Sequence, residues 1–134
     1  MKAYIATERQ VGAVEKRRCE FQFGGKPYPV TEKFLVYHDT RWGKPLHDDR
    51  ELFAMLILEG MQAGVSWNLI LEKEDNFRRA FDKFDPAIVA MYDENKVESL
   101  MQDAGIIRNR RKVTAAISNV SYGCLLYTSP SPRD

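Results

Sequence analysis

Glu59 is the residue best suited to chemistry in this 134-residue chain, because it is a lone carboxylate at the end of an apolar segment. The helix predicted from Leu52 to Leu58 is apolar on nearly every side, which indicates burial all round. A buried, ionised carboxylate must find a partner, take up a proton or line a cavity where a ligand supplies the partner. The alternative is that Glu59 lies at the helix end, tilted into solvent or paired with an arginine.

Aromatic residues occur at high density on both sides of this helix. They are Phe34, Tyr37, His38 and Trp42 before it and Trp67 after it. Flat rings around a carboxylate would suit a planar cationic heterocycle, because ring faces attract cations and a buried carboxylate pairs with them. The alternative is that these side chains are part of the core.

A glycine turn with four basic residues and no acidic one spans 104–112 (AGIIRNRRK). It lies between two predicted helices, and backbone N–H groups at the start of the second can hold DNA phosphates without reading sequence. The alternative is a solvated helix start, although cations there oppose the helix dipole. The residues expected to contact the DNA backbone are Gly105, Arg108, Arg110, Arg111 and Lys112.

Cys19 and His38 are possible zinc ligands, because cysteine and histidine are common in zinc sites. Two ligands do not make a structural zinc site. The alternative is a buried thiol and a packed imidazole.

Short helices must position these residues. One helix is predicted from Asp48 or Asp49 to about Ala63, and Ser66 is expected to cap the next one. Asp85 before Pro86 predicts another helix start, and residues 77–84 form a separate amphipathic stretch. The last two helices are expected at about 94–104, before Gly105, and from near 109. No strand is predicted, so the class is all-α.

The composition is that of one globular domain, with 44% hydrophobic and 29% charged residues. Lys plus Arg total 20 and Asp plus Glu 19, so affinity for nucleic acid must come from a local patch. No apolar run reaches the roughly 18–20 residues that span a bilayer, and no secretory signal is recognised. We therefore expect a cytoplasmic protein without a disulfide framework.

The ends of the chain differ from its middle. Residues 1–18 mix charged and isolated apolar residues, which indicates a weakly ordered extension. Residues 124–134 (CLLYTSPSPRD) lack periodicity and resemble a translated sequencing adapter, so native sequence is expected to end near Gly123. The division into 1–18, 19–123 and 124–134 implies that helices of the natural protein are missing.

Three segments together resemble the DNA-3-methyladenine glycosylase I family. They are residues 37–43 (YHDTRWG), 58–67 (LEGMQAGVSW) and 102–108 (QDAGIIR). The resemblance implies an all-α helix-hairpin-helix glycosylase domain, incomplete at the C-terminus. It also implies a monomeric base-excision repair enzyme that acts on double-stranded alkylated DNA and hydrolyses the N-glycosidic bond of 3-methyladenine.

The resemblance also implies roles for individual residues. Glu59 and Tyr37 would hydrogen-bond the flipped base, and Trp67 would stack on it. Phe34 and Trp42 would wall the pocket, with Phe21 standing where the family usually has tryptophan. Cys19 and His38 would be half of a structural zinc site whose other ligands this chain lacks, so we expect weak zinc binding or none. Since an N3-alkylated adenine is already cationic, recognition can do most of the catalytic work, and no water-activating aspartate is identified.

Two other interpretations of function stay open. A non-catalytic helical DNA-binding module would use only the hairpin at 105–112 and would have no use for a carboxylate ringed by aromatic residues. A truncated chain could also lack any function.

Overall fold

The computed structural model describes residues 18–128, with side chains described up to Tyr122. Most of the extension predicted at 1–18, and residues 129–134 of the predicted tail, lie outside the described residues. The chain divides into two compact units between Lys44 and Pro45, a division that the sequence patterning did not indicate. Each unit is described by itself.

The first unit contains a small hairpin and one helix. Strands β1 (Gln22–Phe23) and β2 (Lys26–Pro27) pair antiparallel. Gly24 and Gly25 connect them with φ of 59° and 74°, the left-handed values that a tight hairpin turn requires. The expectation that the chain has no strand is therefore wrong here, because strands of two residues are too short to show an alternating pattern.

Helix α1 (Glu32–Thr40) follows the hairpin and was not predicted from the sequence. Thr31 begins it, since its side-chain oxygen accepts a hydrogen bond from the Phe34 N–H at 3.2 Å. No residue of α1 is buried, so the helix lacks the apolar stripe by which sequence patterning detects helices.

The second unit is a bundle of five helices within the described residues. They are α2 (Asp49–Met61), α3 (Trp67–Ala80), α4 (Pro86–Val89), α5 (Glu94–Gln102) and α6 (Arg110–Thr128). Asp48, Ser66 and Asp85 cap the first three through side-chain oxygens, which confirms the predicted helix starts. The predicted all-α class is confirmed, since both units are mostly helical outside one minimal hairpin.

The core of the second unit is built around three phenylalanines. Phe77, Phe81 and Phe84 are fully buried. The ring of Phe84 stacks on Phe81 at 5.8 Å between centroids and meets the edge of Phe53 at 6.4 Å. Residues 77–84, predicted as a separate amphipathic stretch, divide between two elements, because α3 continues to Ala80 and is followed by a 3-10 turn.

This 3-10 turn (Asp82–Phe84) has an unusual backbone. Asp82, Lys83 and Phe84 have φ of 50°, 56° and 54°, three consecutive left-handed residues without a glycine. Left-handed conformation costs an L-residue roughly 1–2 kcal/mol. The turn therefore depends on tertiary contacts, chiefly the complete burial of Phe84.

Tyr92 forms a hydrogen bond to this turn and makes the stability of the fold depend on pH. Its hydroxyl donates to Asp82, and Lys96 Nζ lies 3.6 Å from the same carboxylate. Burial, followed by the hydrogen bond to Asp82, raises the pKa of Tyr92 above its ordinary value of 10.0. In the unfolded chain the phenol ionises near pH 10, whereas in the folded protein it keeps its proton.

We therefore expect the stabilising contribution of Tyr92 to be complete below about pH 10 and to be lost as the pH rises further. Urea unfolding between pH 8 and 11 should show a steeper loss of stability for the wild type than for Tyr92→Phe, by at most about 1.4 kcal/mol per pH unit for one proton. Parallel pH profiles for the two proteins would contradict this prediction.

Helix α6 extends beyond the point where the sequence patterning stops. The patterning predicts that helical sequence ends near Gly123, whereas the backbone stays helical to Thr128. The foreign origin of residues 124–134 stays a prediction. None of the helices within residues 18–128 is long and apolar enough to cross a membrane.

Candidate functional site

Glu59 lies in the last turn of α2 and is exposed. At helical spacing it continues the stripe that contains Leu52 and Leu56, but these leucines are 42% and 54% exposed. The prediction that α2 is buried all round is therefore wrong. The physical reason is that α2 packs on α3, α6 and the 3-10 turn through its opposite face, which carries Ala54, Ile57, Leu58 and Met61.

The carboxylate of Glu59 is open to a ligand. Among the side chains described in residues 18–122, none donates a hydrogen bond or forms an ion pair to it, so the alternative of a glutamate tilted into solvent describes its state here. An exposed carboxylate costs little to keep ionised. Glu59 can therefore pair with a cationic group that arrives from solution.

A groove between α2 and α6 opens beside Glu59. Its volume is about 190 Å³. The wall formed by α2 includes Leu56 and Gly60, and the wall formed by α6 includes Arg111 and Asn119. The residue next to Glu59 thus shares a groove with an exposed arginine of the predicted DNA-contacting segment.

Trp67 is the first residue of α3 and is only 7% exposed. Gly64, with φ of 79°, allows the chain to turn from α2 toward α3, and Ser66 caps α3. A ring covered to this degree offers little open face, so stacking on a base would require neighbouring side chains to move. The stacking role of Trp67 stays a prediction.

The aromatic residues of the first unit form a cluster of ring contacts. Phe21 meets the edges of Phe34 at 5.1 Å and His38 at 4.9 Å, measured between ring centroids. His38 stacks on Trp42 at 5.5 Å. Trp42 is nevertheless 60% exposed. Phe21, Phe34, His38 and Trp42 are thus in ring contact within this unit, whereas Trp67 lies in the second unit.

Tyr37 and Asp39 link α1 to charged neighbours. The Arg41 guanidinium lies over the Tyr37 ring at 5.4 Å from its centroid. Asp39 accepts hydrogen bonds from Arg18 Nε at 3.0 and 3.1 Å and from Nη2 at 2.7 Å, and it lies 3.2 Å from His38 Nδ1. The sequence analysis missed Asp39, although its position next to His38 was a visible signal for a carboxylate that orients an imidazole.

The zinc expectation rests on Cys19 and His38. Cys19 is exposed and is not in a disulfide. Among the side chains described in residues 18–122, no group of three or more histidine, cysteine, aspartate or glutamate residues is arranged to hold a metal ion. The described residues thus do not fit a complete structural zinc site, which needs four ligands, and zinc binding stays a prediction.

Gly105 lies in the turn between α5 and α6, where the neighbouring residues leave no space for a side chain. Its N–H donates to Asp103 Oδ1 at 2.8 Å. A Cβ atom at this position would lie 3.0 Å from that oxygen and 3.1 Å from Asn76 Cγ, which is closer than ordinary contact. Glycine therefore lets the hairpin pack closely against α3, whereas the helix itself already ends at Gln102.

The four basic residues of the hairpin divide into two pairs. Arg110 donates to Glu94 at 2.8 Å and also to Glu98, and the hydrogen bond to Glu98 is the main cause of its raised pKa. Lys112 Nζ donates to the backbone carbonyls of Met61 and Ala63. Arg110 and Lys112 are thus held by internal partners, and their expected contact with the DNA backbone stays a prediction.

Arg108 and Arg111 are exposed, and neither forms an ion pair with the described residues. These two cations are therefore the ones that can contact a phosphate without breaking an internal bond. The partners of Arg110 could have been recognised, since Glu94 and Glu98 lie four residues apart on one face of the preceding helix. The carbonyl partners of Lys112 leave no signal in the sequence.

Comparisons with known proteins agree on one family. Residues 29–127 match the family described as methyladenine glycosylase. The chain is 51% identical over 86 residues to DNA-3-methyladenine glycosylase 1 of Escherichia coli (strain K12) and 42% identical over 86 residues to DNA-3-methyladenine glycosylase of Haemophilus influenzae. Each alignment covers 64% of this chain and 46% of the relative, so the chain spans about half the length of these curated relatives.

Solved structures show the same likeness. A crystal structure of 3-methyladenine DNA glycosylase I superposes with a TM-score of 0.68 at 45% identity, covering 72% of this chain and 52% of that one. A structure concerning 3-methyladenine recognition by the enzyme of Staphylococcus aureus gives a TM-score of 0.68 at 33% identity, covering 73% and 53%. The similarity extends well beyond the hairpin at 105–112, so a module consisting of the hairpin alone is not favoured.

Proposed function

Because this chain belongs to the methyladenine glycosylase family, we propose that it acts in base-excision repair and hydrolyses the N-glycosidic bond of 3-methyladenine in alkylated DNA. One structural observation supports this most directly. Glu59 has an exposed carboxylate with no ion-pair partner among the described side chains, and the residue after it, Gly60, lines a groove together with the exposed Arg111. An exposed carboxylate that can pair with a cationic base is thus the sequence neighbour of a residue whose groove contains a cation for the DNA backbone.

The proposed mechanism uses the charge of the substrate. An adenine alkylated at N3 is cationic, so Glu59 pairs with the extruded base by a charge-assisted contact. When the bond from N9 to the sugar C1′ breaks, its electron pair stays with the base, which leaves neutral. Water then adds to the oxocarbenium-like C1′ and releases a proton to solvent. The side chain of Glu59 orients the base and transfers no proton in this scheme.

The direct test is release of free 3-methyladenine from DNA treated with a methylating agent. We expect the chain to release the base in single-turnover reactions, and chromatography of the soluble products measures it. Undamaged DNA of the same sequence is the control. If no methylated purine is released while the chain is folded by circular dichroism, the proposed activity fails for this protein.

The proposed DNA contacts give a second prediction. We expect Arg108→Ala with Arg111→Ala to weaken binding to undamaged duplex and to lower the slope of log affinity against log salt by about 1.8, since each lost phosphate contact removes about 0.9. Arg110→Ala is the control, because it removes one positive charge, half of that lost in the double variant, from a side chain already held by Glu94 and Glu98.

Fluorescence anisotropy in a salt series measures both the affinity for duplex DNA and its dependence on salt. The control variant should bind close to wild type. A loss of about 0.9 in the slope of Arg110→Ala, the value for one phosphate contact, would contradict the division of the hairpin into structural and DNA-contacting cations.

The proposed substrate also bears on location and assembly. Since that substrate is genomic DNA, we propose that the protein works in the cytoplasm, as a monomer. The roles expected for Phe21, Phe34, Tyr37 and Trp42 in binding the base, and of Cys19 and His38 toward zinc, stay predictions.

A further inference from the structure

Lys112 makes an unusual contact for a residue in the first turn of a helix. A cation there faces the positive end of its own helix dipole, which is unfavourable. The Lys112 side chain instead reaches α2, where its Nζ lies 2.8 Å from the Met61 carbonyl oxygen and 2.5 Å from that of Ala63. Lys112 is only partly exposed. The Lys112 ammonium thus interacts favourably with the negative C-terminal end of α2, which offsets the unfavourable interaction with the positive N-terminal end of α6.

Lys112 binds two carbonyls at the C-terminal end of α2, where helix carbonyls need hydrogen-bond donors from outside the helix. The last turn of a helix leaves carbonyls without intrahelical partners, and the last turn of α2 has no basic residue of its own. Met61 and Ala63 lie on either side of Gln62, whose carbonyl accepts from the Val65 N–H at 2.8 Å. Lys112 therefore fixes the start of the turn that connects α2 to α3.

This turn separates two residues of the candidate site. Glu59 precedes it by two residues, and Trp67 begins α3 directly after it. Gly64 adopts its left-handed conformation within the same turn. The position of the turn thus determines the direction of the last part of α2, on which Glu59 lies.

We propose that Lys112 is a positioning residue, which holds the end of α2, and with it Glu59, in a fixed place relative to the hairpin. This inference rests on the proposed function of Glu59. Two neighbouring cations then have separate tasks. Arg111 contacts DNA from the surface, whereas Lys112 keeps the carboxylate where the base arrives.

A matched pair of variants tests this division. Lys112→Met removes the ammonium group from a chain of similar length, and Arg111→Met removes the neighbouring exposed charge. We expect Lys112→Met to lower the maximal single-turnover rate at saturating methylated DNA about tenfold, with the half-saturating DNA concentration changed less than about twofold. Arg111→Met should raise the half-saturating concentration, which is the signature of a lost DNA contact.

Rescue and local dynamics separate positioning from general stability. Lys112→Arg keeps donors for both carbonyls and should recover the rate to within about threefold of wild type. Hydrogen exchange of the Val65 amide should be faster in Lys112→Met and unchanged in Arg111→Met. A Lys112→Met variant that loses DNA affinity and keeps its maximal rate would overturn the proposal, because Lys112 would then act as a phosphate contact.

Failure of the proposed function is recognised separately. If the wild-type chain releases no base, the glycosylase proposal fails, and the exchange measurement alone decides the structural role of Lys112. Unchanged exchange of the Val65 amide in Lys112→Met would overturn that role whatever the activity. Equal rates for Lys112→Met and wild type would overturn it as well.

Discussion

Replacing Glu59 by glutamine is expected to lower release of 3-methyladenine roughly ten- to a thousandfold, on the order of 1.4 to 4 kcal/mol for one charge-assisted contact. The thermal melt should stay the same, because Glu59 is exposed and makes no hydrogen bond to the described side chains. Single-turnover excision from methylated DNA, measured beside a circular dichroism melt, tests both parts.

Asp75→Asn is the matched control for this experiment. Asp75 is an exposed carboxylate on α3, so its loss changes the net charge equally but leaves the α2 surface intact. We expect the control to excise within about twofold of wild type, since an isolated surface charge contributes little. A glutamine variant that excises as fast as this control would remove Glu59 from the mechanism.

Replacing Phe84 by alanine has the largest expected effect on stability. The side chain is completely buried between Phe53 and Phe81, and the Arg78 guanidinium lies 5.8 Å from its ring centroid. Removing a buried phenylalanine ring costs about 3–5 kcal/mol, which is a large part of the stability of a small domain. Chemical denaturation should therefore show a strongly destabilised or unfolded variant.

Met91→Ala provides the comparison, because this neighbouring apolar residue is 84% exposed. Its loss should change the free energy of unfolding by less than about 0.5 kcal/mol. Phe84→Leu should fall between the two, since it keeps part of the buried volume. A Phe84→Ala variant as stable as Met91→Ala would show that the aromatic core does not hold the second unit together.

The helix starts of the second unit could be predicted because their signals are local. Asp48, Ser66 and Asp85 each bind a backbone N–H two or three residues further on, and such short contacts are visible as residue types at fixed spacing. Helix α1 has a comparable cap at Thr31, but without a buried stripe the cap alone did not indicate a helix.

The state of Glu59 could not be predicted, because α2 is apolar on several faces and periodicity cannot choose which face is buried. That choice depends on the elements that pack against α2, which are distant in sequence. Lys112 shows the same limit, since its partners are backbone carbonyls about 50 residues away. Residue types predicted candidate chemistry, and tertiary packing decided which charges are available for it.

The left-handed turn at Asp82–Phe84 has a consequence for the order of folding. Three consecutive residues of this kind have no local driving force, because each is less favourable than its right-handed form. The turn becomes stable only when Phe84 meets Phe53 and Phe81, so it cannot serve as a nucleus for the helices on either side. Changes confined to Lys83, which is exposed within the turn, should then alter the rate of unfolding and leave the rate of folding almost unchanged.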